Sequence, residues 1–291
     1  MADFGRFAPA PKWRAFFIFG VLASQALAAV PTTAPDLAQV GRPTPAQARE
    51  IIESFQHAGI SGEYYLEFEL RIRPRGGDER TLRGKLWGGR NDKGAITRIA
   101  VMDSTGRESR FLLQNGARPA LWSYVDGRRG QLAGDAWFAP LVPGVEIAPF
   151  DLQMPFFYWP DFTVENLVRK NSRPTQVFFF RPPAEFAKTP ATISGVRAYL
   201  DTQFNAPVQT ELIGADGRLL KTLELREVKK VGGQSLPKTI DVRNDVTRDT
   251  TRFQVTAAAF GLELPETVFQ PAMLAEPVRA PAAERIMRID P

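Results

Sequence analysis

From Val196 to Phe269 the chain alternates apolar and polar residues almost without a break, which commits this stretch to antiparallel strands. Val196, Ala198, Leu200, Thr202 and Phe204 alternate with Arg197, Tyr199, Asp201 and Gln203, and Val208, Thr210 and Leu212 continue the rhythm. Asp216-Gly217 then sits between two alternating runs, the strongest short-range signal for a hairpin. The returning strand, Arg218 to Glu227, places Leu219, Leu223 and Leu225 on one face and Thr222, Glu224 and Arg226 on the other. Lys221 is the exception, a charge on the apolar side. Strands at Lys238 to Arg243 and Thr250 to Thr256 lead to Leu264-Pro265-Glu266-Thr267-Val268-Phe269. Such a sheet has one greasy and one wet face, and what covers the greasy face decides the function.

The N-terminal half carries the same signature. Thr44-Pro45-Ala46-Gln47 has the form of a capping box with proline at the first helical position. It opens a helix to about His57, whose stripe is Ala48, Ile51, Ile52 and Phe55, with Gly59 as its stop. Gly62 to Arg73 is the cleanest strand: Tyr64, Leu66, Phe68, Leu70 and Ile72 face one way, Glu63, Tyr65, Glu67, Glu69, Arg71 and Arg73 the other. Gly76-Gly77-Asp78 and Gly88-Gly89-Arg90-Asn91 read as turns, and the meander continues through Ala95 to Met102, Ser109 to Gln114 and Ala120 to Val125. Between Leu132 and Asn171 five prolines (140, 143, 149, 155, 160) break the pattern amid Phe150, Met154, Phe156, Phe157, Tyr158, Trp159 and Phe162. Strands resume at Thr175 to Phe180, and Pro277 to Pro291 reads as a poorly ordered tail. The sum is a mainly β domain of about ten strands: a curled antiparallel sheet with one N-terminal helix and a ring-rich lid.

The first 29 residues have the form of an export signal, with Arg6, Lys12 and Arg14 before the apolar Ala15 to Val21 and small residues at Ala26-Leu27-Ala28-Ala29. Residues 30–43 read as a flexible leader, 44–275 as the domain and 276–291 as a tail. The apolar run is short for a span of about 30 Å, so the expectation is a cleaved signal and a soluble periplasmic protein. Cysteine is absent, which excludes disulfides, thiolate metal sites, cysteine nucleophiles and a lipid-anchored N-terminus. Lys and Arg number 37 against 32 Asp and Glu, a net +5 spread along strands rather than gathered in a stripe, so nucleic acid is not an expected partner.

The C-terminal half has a distinctive order of pieces: the Phe156–Phe162 segment followed by Glu165-Asn166-Leu167 as short helices, then Gly214-Ala215-Asp216-Gly217-Arg218-Leu219-Leu220-Lys221-Thr222-Leu223, Gly232-Gly233, Leu236-Pro237, Thr250-Thr251-Arg252-Phe253 and the closing Leu264–Phe269 with Leu274. In that order it resembles the LolA-like family of outer-membrane lipoprotein-sorting proteins. The resemblance covers roughly residues 150 to 274, and the N-terminal meander agrees in pattern only. The resemblance implies a half-open β-barrel whose apolar concave face, covered by helices, holds acyl chains. The missing cysteine departs from the membrane-anchored acceptors of that family. The arginine that controls the lid in the carriers has no motif to align with here.

Candidate lining residues for such a cavity are Tyr64, Leu66, Phe68, Leu70 and Ile72, with Phe178 and Phe180, Leu223 and Leu225, and the lid residues Phe156, Phe157 and Trp159. Each is equally compatible with plain sheet-to-helix core, and Phe156 to Trp159 with a packed plug. His57, the single histidine, falls at a helix C-terminus, where the helix dipole favours a cation. Asp241, Asn244, Asp245 and Asp249 lack the glycine and terminal glutamate of a calcium loop. No cofactor, metal or catalytic residue is expected. The sequence thus points to a monomeric, non-catalytic carrier of lipid or lipoprotein acyl chains, served by a membrane transport complex. The alternative is an envelope-stress sensor or assembly factor that binds a protein partner on the same surface.

Overall fold

The computed structural model describes residues 42–170, 173–187, 193–201 and 206–290. The expected signal and nearly all of the leader lie outside these. Helix α1 (Pro45–His57) begins as its sequence dictates. The Thr44 amide donates to Gln47 Oε1 at 2.9 Å and the Gln47 amide to Thr44 Oγ1 at 3.3 Å, and Ala48, Ile52 and Phe55 are buried.

Strands β1 (Glu63–Arg73), β2 (Arg80–Asn91), β3 (Gly94–Met102), β4 (Glu108–Gln114), β5 (Ala120–Val125) and β6 (Arg128–Leu132) form one antiparallel meander. Strands β7 (Phe162–Lys170), β8 (Arg173–Phe180), β9 (Ile193–Asp201), β10 (Ala206–Gly214), β11 (Leu219–Val231), β12 (Gln234–Asn244) and β13 (Thr250–Leu262) form a second, and β13 pairs with β1 to join the two. A short β14 (Met287–Arg288) pairs with β13. The result is one open 14-stranded antiparallel sheet, curled as a half-open barrel, whose free edges are β6 and β7. A sheet this wide curls because strand twist accumulates, and bulges in β1, β7, β10 and β11 add to it. The two edges are consecutive in the chain, so the segment between them, 133–161, must cross an open side.

Several expectations need correction. Gly88 and Gly89 are not a turn: β2 runs through them and the chain reverses at Asp92-Lys93. Gly88 pairs across the strands with Tyr64, and Gly84 with Phe68. A Cβ on Gly88 would lie 2.1 Å from Tyr64 Cζ, and one on Gly84 2.2 Å from Phe68 Cζ. These glycines are there so that two rings can lie on the backbone of the next strand. Residues 165–167 are not helical but part of β7, whose register shift between Val164 and Leu167 breaks the period-2 pattern that would have marked a strand. Tyr65, expected on a wet face, is fully buried. Residues 277–290 are not a loose tail. They belong to a C-terminal segment, 263–290, that packs across the outer face of the sheet.

That outer face carries a row of cross-strand partners: Ala259, Tyr65, Trp87, Arg98, Leu112 and Trp122. Val268, Phe269, Leu274, Val278 and Ile286 of the C-terminal segment cover it in two small apolar clusters. Arg98, 2% exposed, donates from its guanidinium to the carbonyls of Val268, Met273 and Leu274 at 3.2 Å each, and to that of Glu276. Burial, with the Arg110 guanidinium nearby, pulls Arg98 down to about 10, which still leaves it charged at neutral pH.

Candidate functional site

The inner face of the sheet is one continuous apolar floor. β1 contributes Leu66, Phe68, Leu70 and Ile72, all buried, with Tyr64 packed at their edge. β8 adds Phe178 and Phe180, β9 adds Val196, Ala198 and Leu200, and β11 adds Leu223. Leu225 is half-buried and lies outside this cluster. The remaining candidates from the sequence are therefore brought together on one surface, together with Phe156, Phe157 and Trp159 from the segment that crosses it.

Proline placement explains how that segment folds. Pro149 and Pro155 each open a short helical turn, α2 (Pro149–Gln153) and a 3-10 turn (Pro155–Tyr158). Met154 between them is left-handed, φ 48°, so the two turns do not run on as one helix. α3 (Ala184–Ala187) brings Phe186 beside them. The rings then interlock: Phe156 lies 5.3 Å and Phe157 5.8 Å from Phe180, Phe157 stacks on Phe55 of α1 at 5.4 Å, and Trp159 meets Phe186 at 5.4 Å and Phe150 at 6.0 Å. Such pairs add about 0.5–1.5 kcal/mol each beyond area burial.

Polar ties join this segment to α1 and to the sheet. Gln56 of α1 donates from Nε2 to the Phe157 carbonyl at 2.7 Å, while its own carbonyl accepts from Arg90 at 2.9 Å and from the Tyr158 hydroxyl at 3.3 Å. Gln153 Nε2 donates to the Leu113 carbonyl at 3.1 Å. Asp151 Oδ2 accepts from the Ala148 amide and from Lys221 Nζ, both at 2.8 Å. The indole N–H of Trp159, a residue 4% exposed, has no acceptor among the described residues, a deficit of about 1–3 kcal/mol. Glu146, on the same side, accepts from Asn244 at 3.1 Å, and burial pushes its carboxyl up.

Among the described residues two small voids border this cover. A void of about 10 Å³ lies between Phe150, Met154 and the β9–β11 floor, next to Lys221. A second, about 120 Å³, lies at the rim beside Trp159, Pro183 and Phe186. Both fall short of the ~300 Å³ or more of an ordinary small-molecule site. The segment fills the concavity as a plug.

Lys221 and Gln56 were not among the candidates read from the sequence. Lys221 showed itself as the charge breaking an apolar face, but its partner lies 70 residues away. Gln56 gave no signal, since its three hydrogen bonds join groups distant in sequence through carbonyls that any residue carries. His57 Nδ1 lies 2.8 Å from the Glu53 carbonyl, within its own helix. In the acidic cluster Asp241 is bound by Arg252 through two bonds, at 2.7 and 2.8 Å. Asp245 accepts from Arg243 and Thr222, and Asp249 from the Arg75 amide. Among the described residues no His, Cys, Asp and Glu group could hold a metal ion, and no helix is long and apolar enough to cross a membrane.

The fold has relatives among solved structures. A DUF1329 family protein from Desulfovibrio piger superposes with a TM-score of 0.69 at 14% identity, over 80% of this chain and 100% of that one. A candidate outer membrane lipoprotein-sorting protein domain from Vibrio parahaemolyticus gives 0.67 at 17% identity, over 78% and 97%. A LolA superfamily protein from Nitrosomonas europaea gives 0.59 at 14% identity, over 77% and 97%. A family model described as uncharacterized protein matches residues 184–276. No curated protein sequence matches the chain. The fold is that of the LolA superfamily and DUF1329 proteins.

Proposed function

We propose that the protein is a non-catalytic periplasmic carrier, exported with its leader removed, that takes acyl chains of a lipid or lipoprotein onto the inner face and moves them towards the outer membrane. The observation that carries this reading is the plug: an apolar floor spanning most of the sheet is covered by two short, proline-cut turns and α1 rather than by long packed helices. An acyl chain gains about 0.8 kcal/mol per buried CH₂, so about fourteen methylenes supply on the order of 11 kcal/mol. Lifting Phe150, Phe156, Phe157 and Trp159 off the floor costs about 1.5–3 kcal/mol per ring, or roughly 6–12 kcal/mol in all. The exchange is close to balanced, as reversible loading and unloading requires. The LolA-type fold supports the same reading.

Mass spectrometry of the mature protein purified from its native envelope tests it. The expected result is a reproducible set of acyl lipids or lipid-modified peptides at near-stoichiometric amount. A reproducible protein partner with no lipid would instead favour a sensor or assembly factor using the same surface.

A further inference from the structure

Lys221 occupies an unusual position. It sits on the apolar side of β11 beside Leu223, its side chain 14% exposed, and its ion-pair partner Asp151, 8% exposed, belongs to the plug. The small void of the inner face is bounded by this pair together with Phe150, Met154 and Val196. Glu146, a second carboxylate near enough to attract Lys221, makes its own hydrogen bond to Asn244 on β12 and is anchored by its amide, which donates to Thr251 on β13. Removing the plug therefore takes away the anion bonded to Lys221 and leaves an ammonium group on a greasy floor. An uncompensated charge in such a place is costly, whereas one matched by a hydrogen-bonded counter-charge is not.

We infer that the ligand displacing the plug carries an acidic head group, a carboxylate or phosphate, which takes the place of the Asp151 carboxylate on Lys221 while its acyl chain takes the place of the rings. Asp151 is thus a built-in mimic of the head group, and its release from Lys221 accompanies loading. A neutral chain of equal length has nothing to offer the lysine, and a cationic one is repelled by it. This inference rests on the acyl-carrier reading and narrows it to one class of lipid.

The experiment compares dodecanoate, dodecanol and dodecyltrimethylammonium, below their micelle concentrations, on the purified mature protein by calorimetry. Dodecanoate should bind at least about tenfold more tightly than dodecanol, since only dodecanoate offers Lys221 a charged hydrogen-bond partner. The variant Asp151→Asn keeps an acceptor for the Ala148 amide but frees Lys221, and should bind dodecanoate more tightly still. Lys221→Met alone would strand a buried carboxylate, so the informative variant is Lys221→Met with Asp151→Asn. It should bind dodecanoate and dodecanol alike, with a folded near-ultraviolet spectrum. Equal affinity for all three probes in the unmodified protein, or a preference for dodecanoate that survives the double variant, would overturn the head-group inference and leave the carrier reading standing. Binding of none of them would overturn both.

Discussion

Phe68→Glu should abolish the folded protein, while Glu67→Gln, one residue away, should cost less than about 1 kcal/mol. Phe68 is 2% exposed, lies on Gly84 of the neighbouring strand and stacks on Phe253 at 4.6 Å. Removing a buried ring costs about 3–5 kcal/mol, and a carboxylate placed there without a partner adds several more. Together they reach the whole stability of an ordinary domain, about 5–15 kcal/mol. Glu67 points outward, where it accepts from the Tyr65 hydroxyl at 3.2 Å and pairs with Arg288 at 2.5 Å. Half-exposed pairs of this kind contribute about 0–1 kcal/mol. Urea titrations of the two variants decide the matter, and similar midpoints would mean that the faces of β1 are assigned the wrong way round.

Arg98→Met should cost at least about 3 kcal/mol and release the C-terminal segment. One buried guanidinium ties four carbonyls between Val268 and Glu276 to β3, and with methionine those carbonyls face an apolar surface unpaired. Arg98→Lys should recover only part of the loss, because a point-like ammonium cannot reach four divergent acceptors. Limited proteolysis reads the release directly: cleavage beyond Leu262 should appear in the methionine variant at temperatures where the unmodified protein is resistant. A methionine variant that melts with the unmodified protein and shows no new cleavage would reduce the clamp to an incidental set of contacts.

Where period-2 alternation is plain in the sequence the strands could be read directly, as in β1, β10 and the first half of β13 (Thr250 to Thr256 of Thr250–Leu262), and the capping box located α1. The reading failed where a local device hides the period. The bulge in β7 shifts Leu167 out of phase with Val164, and a strand so disguised looks like a helix-bearing loop. Gly88-Gly89 imitates a turn because glycine serves both for reversing a chain and for admitting a ring, and only the position of Tyr64 tells the two apart. Arg98 drew no notice in the sequence, because nothing local shows that its acceptors lie some 170 residues on. The same missing information made residues 277–290 look like a tail. For the site, residue type gave the floor and the rings, while the pairing of Lys221 with Asp151 and the ties through Gln56 depend on tertiary placement. The decisive fact about the concavity, that the ring-rich segment fills it, depends on how tightly rings interlock, which composition cannot express.

The central claim is that this plug leaves when an acyl chain arrives, and backbone hydrogen exchange tests it most directly. In the closed form the amides of Met154, Phe157 and Trp159 donate to Phe150, Met154 and Phe156 at 2.9, 3.2 and 3.0 Å, so they should be protected along with the strands. Adding dodecanoate to the mature protein should speed exchange at these three amides many-fold while β1 and β13 keep their protection. A saturable ligand that leaves residues 149–159 as protected as before would make the segment permanent core and contradict the account.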